Sequence, residues 1–324
     1  MSSSPELFLR PVSVTIPATS ANLGPGFDCL GLALELRNRL VLEAVGPTIE
    51  FGSGETRYSM QVDGVDADKV PTDRENLAIE AAELLFGCVG FRPTSLAMRM
   101  TNSIPVGSGL GSSSSAIVAG LLGANALFSD IVPRHELLHM AVNIEGHPDN
   151  VAPALLGGLV LGVLPDNEMG PDALVVQKWD PPDLMTAVVL PNFKLLTSEA
   201  RAILPPMIHR RDAIFNASRL GLLIHALTAH DYSLMQSAMG DRLHQMYRLK
   251  LIPGAVEAFD AAYKAGALGV ALSGAGPSLI AFCDHNPEAI CLAMQNAFAG
   301  AGLTSRSWTL KPTAQGACVS RNGE

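Results

Sequence analysis

The run PVGSGLGSSSS, Pro105 to Ser115, is the segment of this chain best suited to holding an anion. Gly107, Gly109 and Gly111 stand at alternate positions and let the backbone wrap tightly with its N–H groups pointing inward. The serines after them are expected to cap a helix and leave its unpaired N-terminal amides aimed at the same point. A nest of amides joined to a helix N-terminus is an anion site, and phosphate is its usual guest. No Gly-Lys-Ser/Thr closes the run, so it is not a Walker A loop, and it is not the Gly-x-Gly-x-x-Gly of dinucleotide folds. From Met100 to Pro133 there is no Lys or Arg. A polyphosphate held here would therefore be compensated by amides, serine hydroxyls and a metal. The plain alternative is a flexible Gly/Ser turn into a helix.

Three other segments could line a site. In PATSANLGPGFDCLG, Pro17 to Gly31, Asn22 and Asp28 offer an amide and a carboxylate to the amine or hydroxyl of a small polar ligand. They could equally form Asx turns that only stabilise the loop. In LSGAGPS, Leu272 to Ser278, Gly274 and Gly276 admit close backbone approach to a ligand, or simply make a hairpin turn. In NIEGHPDNVAP, Glu145, His147, Asp149 and Asn150 cluster at the end of a helix. Oxygen ligands suit Mg²⁺, which takes one or two carboxylates and completes its shell with phosphate and water. His147 has no second His at helical spacing and does not read as a metal ligand. A polar helix-turn-helix connection is the competing reading.

The elements that must position these groups follow from periodicity. Val12–Ile16 reads as a strand ended by Pro17, then a loop from Ala18 to Gly31, then extended chain from Leu32 to Val45. A helix is expected over Asp73–Phe86 with Asp73 at its start, a strand over Thr94–Met100, and a buried helix over Ser112–Phe128. Pro133–Ile144 adds a helix with Pro at its first turn. WDPPD around Asp180 breaks the pattern and places a domain boundary there, giving domains 1–180 and 181–324. The second half reads as a strand (Met185–Leu190), several helices, paired strands around SGAGP, a helix (Pro287–Ala299) and a strand (Ser305–Leu310). That order suits a split βαβ sandwich. The fold class is α+β.

Composition narrows the function. The 324 residues carry 31 acidic against 22 basic side chains, a net charge of -9, which argues against nucleic acid and against an anionic membrane surface. At 48% hydrophobic and 16% charged the chain is not a disordered one. The five cysteines form no C-x-x-C pair, so neither a disulfide framework nor a zinc ribbon is expected. The N-terminus lacks a basic-then-apolar leader, and the longest apolar run, Ala154 to Leu164, is too short to span a bilayer. A soluble cytoplasmic protein is expected.

Taken together, the four motifs resemble the GHMP kinase superfamily, and most closely its branch that phosphorylates L-homoserine. PATSANLGPGFDCLGLAL is similar to that branch's N-terminal motif and PVGSGLGSSSSA to its phosphate loop. EGHPDNVAPALLGG is similar to its central motif and SGAGPS to its C-terminal glycine motif, all four in family order. The resemblance implies a two-domain GHMP kinase fold. An N-terminal α/β domain would carry the glycine-rich phosphate loop, a ferredoxin-like α/β sandwich would follow, and the active site would lie between them. It implies ATP along Pro105, Val106, Gly107, Ser108, Gly109, Leu110, Gly111, Ser112, Ser113, Ser114 and Ser115, and Mg²⁺ on Glu145 with Ser112 or Ser113. It implies L-homoserine against Asn22, Asp28, His147, Asn150 and Gly274, with Arg201 and Arg248 forking its α-carboxylate. A homodimer and a place in threonine biosynthesis are implied in the same way.

Related mevalonate kinases carry an aspartate where Asn150 stands, and asparagine takes no proton at neutral pH. Direct in-line transfer without a side-chain base is therefore expected, with Asn150 orienting the hydroxyl and a neighbouring base, Asp149 or His147, as the alternative. The alternatives are a sister kinase for mevalonate or a sugar, which Asn150 disfavours, and a non-catalytic metabolite sensor, which has no need of Glu145.

Overall fold

The computed structural model describes residues 7–164 and 174–321; the first six residues of the N-terminal stretch read above lie outside it. Strands β1 (Val12–Asn22), β2 (Gly26–Glu50), β3 (Arg57–Gly64), β4 (Phe91–Asn102), β5 (Leu159–Val163) and β6 (Val175–Trp179) build one mixed sheet. The order β1-β2-β4-β3 is its main path, with β5 and β6 branching from β2. A second sheet is antiparallel throughout. It comprises β7 (Met185–Pro191), β8 (Gly269–Leu272), β9 (Leu279–Cys283) and β10 (Ser305–Leu310) in the order β10-β7-β9-β8. The chain then returns to the first sheet, where β11 (Cys318–Arg321) pairs with β1.

Helices α1 (Leu77–Val89), α2 (Ser112–Leu127), α3 (Arg134–Glu145) and α4 (Pro148–Leu156) cover the first sheet. Between β7 and β8 lie α5 (Thr197–Ala202), α6 (Arg210–Thr228), α7 (Met235–Ala238), α8 (Gln245–Arg248) and α9 (Ala255–Lys264). Helix α10 (Pro287–Gly300) packs beside α9 on the second sheet. One core is shared by the two sheets: Leu30, Leu32 and Leu34 of β2 pack with Val188, Ile280 and Phe282. The cleft between the sheets is thus held by apolar contact rather than by a linker.

Several sequence expectations change in detail. Pro17 does not end β1, because it falls where the β1–β2 register shifts and its missing N–H breaks no ladder bond. The expected loop Ala18–Gly31 is instead a hairpin whose strands reach Asn22 and restart at Gly26. Helix α1 begins later than Asp73, capped by Asn76, whose side chain accepts from the Ala78 amide. The serines do not cap α2; Gly111, at φ 73°, occupies that position. Helix α4 and strands β3, β5, β6 and β11 had no expectation. The apolar run Ala154–Leu164 hides the end of α4 and β5, because Gly157 and Gly158 break it into helix and strand.

Helix α2 is buried nearly all round, and it approaches α1 closely at Gly120, where an added Cβ would stand 2.3 Å from the Ala78 carbonyl oxygen. Gly→Ala inside a helix normally stabilises by about 1 kcal/mol. Here the sign should reverse: Gly120→Ala is expected to lower the urea midpoint, since backbone cannot yield as a side chain would. A raised midpoint would show that the two helices part freely.

Candidate active site

The three glycine-rich segments meet at one place. The Asn22 Nδ2 donates to the Gly274 carbonyl at 2.8 Å, and the Gly274 amide donates to Ala21 O at 3.1 Å. Ser273 Oγ donates to Gly109 O at 2.7 Å, and the Ser278 amide reaches Ser108 O at 3.3 Å. Gly107, Gly109 and Gly111 all have positive φ, which glycine adopts without Cβ strain. Together these segments wall a cavity of about 410 Å³ between the two sheets.

The loop end of the cavity is lined by Val106, Gly107, Ser108, Gly109, Gly111, Ser112 and Ser113. Four residues of the expected phosphate-loop set do not line it. Leu110 is a correction with a clear cause: its side chain is fully buried in the shared core, and its N–H and C=O bond Ser108 Oγ and the Thr19 amide. Ser115 turns inward to the Ser112 carbonyl and Asn38, and Pro105 only accepts from Ser108 Oγ. Ser114 Oγ instead joins Ser113 Oγ in donating to Glu145 Oε1, each at 3.0 Å. Glu145 is the last residue of α3, so the carboxylate sits between a helix C-terminus and the N-terminus of α2.

Asn150 lies in the first turn of α4, and its Oδ1 accepts from Thr19 Oγ1 at 2.8 Å. That bond fixes which end of the amide is engaged by protein. Gly111 keeps this corner open, since a Cβ there would lie 2.0 Å from Thr19 Oγ1 and 3.3 Å from Asn150 Oδ1.

At the other end, charge is arranged in pairs. Arg201 of α5 grips Asp28 in a fork, with both N–H···O distances 2.9 Å, and its pKa is raised by that contact. Arg248 is 1% exposed and donates to Ala200 O at 2.9 Å and towards Gly274 O at 3.4 Å. Burial and the charge of Arg201 pull its pKa down to about 10, so it remains a cation at neutral pH. Phe27 lies beside both guanidiniums and stacks on His244, whose Nε2 donates to Gly24 O. The Asp28 amide donates to Asn22 Oδ1 at 2.9 Å.

His147 Nδ1 is hydrogen-bonded to the buried Asp149 carboxylate. Burial alone would lower the His147 pKa, but Asp149, with Glu145 and Asp28 nearby, raises it overall. Asp28, His147 and Asp149 are close enough to hold a metal. Their atoms are already committed to Arg201 and to one another, so they form a hydrogen-bonded network, and Glu145 is not part of it.

A third wall had no expectation. Lys69, Val70, Pro71, Leu77, Met100 and Asn102 line the cavity beyond the loop. Asp66 organises it, accepting from the Val106 amide at 3.1 Å, Lys69 Nζ at 3.0 Å and Arg306 at 3.4 Å. These partners hold the Asp66 carboxyl below its ordinary pKa although burial opposes them. Lys69 brings a basic side chain to the cavity wall, from outside the Met100–Pro133 stretch that has none. A local count of Lys and Arg cannot register a cation that the fold brings in from another segment. Thr197 lines the cavity too, beside Arg201 on α5.

Comparison with known proteins agrees with this architecture. Residues 76–158 match the family described as GHMP kinases N terminal domain, and residues 223–300 match GHMP kinases C terminal. A homoserine kinase from Moorella thermoacetica is 44% identical over 307 residues, covering 94% of this chain and 99% of the relative. One from Desulfitobacterium hafniense is 40% identical, covering 95% and 99%. The crystal structure of homoserine kinase from Cytophaga hutchinsonii superposes with a TM-score of 0.83 at 30% identity, covering 99% of both chains.

Proposed function

This chain belongs to the homoserine kinases of the GHMP kinase family, and on that premise we propose that it transfers the γ-phosphoryl group of ATP to the side-chain hydroxyl of L-homoserine. The product, O-phospho-L-homoserine, feeds threonine biosynthesis. The observation that carries the reading is one continuous cavity with an amide-lined loop at one end, paired charges at the other, and Glu145 and Asn150 between them.

In this reading the amino acid binds as a zwitterion. Asp28, oriented by Asn22, meets the ammonium, and Arg201 and Arg248 meet the α-carboxylate. Gly274 contributes through its carbonyl, which holds Asn22 and Arg248 in place. His147 lines the same pocket, and Asn150, anchored by Thr19, orients the hydroxyl. The loop amides, the N-terminus of α2 and Lys69 receive the phosphates, and the apolar wall of Val70, Pro71, Leu77 and Met100 takes the purine. The hydroxyl oxygen forms its bond to the γ-phosphorus as the bond to the ADP oxygen breaks, and the hydroxyl proton leaves with the phosphoryl group.

The donor set fits Mg²⁺: Glu145 with the hydroxyls of Ser112 and Ser113 is all oxygen and faces the phosphate end. A bound Mg²⁺ would neutralise charge on the β- and γ-phosphates.

We assign residues 1–180 to nucleotide binding and 181–324 to the ferredoxin-like domain, because β6 ends at Trp179 and β7 opens the second sheet at Met185, with β11 returning to the first sheet. No helix among the described residues is long and apolar enough to cross a membrane. A cytoplasmic homodimer is the expected form by family resemblance, and light scattering checks it.

An ADP-release assay with L-homoserine, L-serine and mevalonate tests the assignment; turnover confined to mevalonate or L-serine would overturn it. Asn150→Asp separates the mechanisms. It keeps the acceptor for Thr19 but sets a second anion beside the triphosphate, so kcat should fall by ~10-fold. A substantial rise in kcat would mean that transfer wants a base there.

A further inference from the structure

We propose that His244 is a positioning residue for the amino-acid substrate, locking Arg248 to the β1–β2 turn and so setting the distance between the anionic and cationic receptors of the zwitterion. The proposal rests on the phosphoryl-transfer reading above and adds to it a residue that touches neither substrate.

His244 stands just before α8 and is fully buried behind the cavity wall. Its Nε2 lies 2.7 Å from Gly24 O, which only accepts, so Nε2 carries the proton and Nδ1 is left as an acceptor. Nδ1 faces Arg248 NH1 at 3.4 Å, and a guanidinium can only donate. The ring also stacks on Phe27, the residue before Asp28, with centroids 5.0 Å apart. Asp241, its side chain fully buried, accepts from the amides of Leu243, His244 and Gln245 at 3.0, 2.9 and 2.7 Å and so fixes the backbone that carries the ring. Burial and the charge of Arg248 hold His244 below the ordinary histidine pKa against the pull of Asp241 and Asp28, so at neutral pH Nδ1 keeps its lone pair.

Arg248 is thereby held on two of its three nitrogens. Nε donates to Ala200 O at 2.9 Å, and NH1 is shared between His244 Nδ1 and Gly274 O, each at 3.4 Å. NH2 has no protein partner among the described residues, which leaves it for the α-carboxylate. On the other side of the ring, Gly24 and Phe27 belong to the turn and strand start that carry Asn22 and Asp28, joined by the bond from the Asp28 amide to Asn22 Oδ1. A zwitterion fixes the separation of its own charges, so its receptors must stand at one spacing. Asp28 and Arg248 lie in different halves of the chain, and the imidazole bridges them directly. Without it the guanidinium would have to be ordered at the moment of binding, which weakens binding.

The test is steady-state kinetics with L-homoserine and ATP each varied, in the parent, His244→Leu and His244→Asn, with the thermal midpoint of each protein. His244→Leu should raise KM for L-homoserine by ~10-fold or more, while kcat and KM for ATP stay within ~3-fold. His244→Asn keeps an acceptor close to the place of Nδ1 and should hold the rise to ~3-fold. A residue that only fills the core would, when replaced, lower the midpoint and the active fraction, cutting kcat with both KM values unchanged; that result would overturn the proposal. So would KM values for both substrates that rise together, or an Asn variant no better than the Leu variant. Two variants that fail to fold would make His244 a residue of the core and overturn it as well. A parent that turns over L-homoserine beside a His244→Leu with the parental KM sinks this proposal alone, whereas a parent without that turnover sinks the phosphoryl-transfer reading with it.

Discussion

Replacing Gly111 by alanine is expected to lower kcat/KM by about 10²-fold. Two causes combine. The position has φ 73°, which costs an L-residue about 1–2 kcal/mol. The new Cβ would also stand 2.0 Å from Thr19 Oγ1, so Thr19 must rotate or the loop must move. Either change breaks the Thr19–Asn150 hydrogen bond and so releases the amide proposed to orient the hydroxyl, and a moved loop also shifts the first turn of α2. Gly52→Ala is the control. Gly52 also has positive φ, at 95°, but nothing lies within 4 Å of its added Cβ. It should lose stability to the same strain and keep its turnover. Equal losses of activity in the two variants would mean that strain alone, and not the crowded corner, is responsible.

Glu145→Gln should cut kcat/KM by about 10²–10³-fold while leaving the thermal midpoint unchanged or slightly raised. The carboxylate is half-buried and its partners are the hydroxyls of Ser113 and Ser114. It closes α3, where an anion is disfavoured by the helix dipole, so removing the charge relieves a local conflict. The N-terminus of α2 across the gap is what makes the position tolerable. Measured across a Mg²⁺ titration, the variant should need more metal for half-maximal rate. A parental Mg²⁺ dependence would remove Glu145 from the metal's shell.

Much of this site was legible in the chain before folding. Alternating glycines announce positive φ, and Gly107, Gly109 and Gly111 have it. Helix α2, read as apolar on nearly every face, is buried on nearly every face. The strand and helix order of the second half matches the antiparallel sheet with α10 between β9 and β10. These features are local: they follow from dihedral preference and from periods of two and 3.6 residues, which a short window of sequence contains.

What failed locally also has a physical cause. Pro17 reads as a strand end unless a register shift absorbs its missing N–H, and only the partner strand supplies that shift. Leu110 looks like a loop residue among glycines, but the packing of two sheets draws it into their shared core. Lys69, Asp66 and Asn102 carry no spacing signal, because their relation to the loop exists only after β3 and β4 are paired and the turn between them has folded back.

The glycine-rich loop lies in a stretch, Met100 to Pro133, without Lys or Arg, so the sequence by itself determined that backbone and hydroxyls rather than side-chain cations are what the loop offers a ligand. It also determined the order of β7, β8, β9, α10 and β10 in the second half. Only the tertiary structure decided the partners. Arg201 closes on Asp28, Thr19 on Asn150, and Lys69 on Asp66 in the wall of the same cavity. The first two pairings join residues far apart in the chain, and such contacts are set by how two sheets share one core rather than by any preference of the residues themselves.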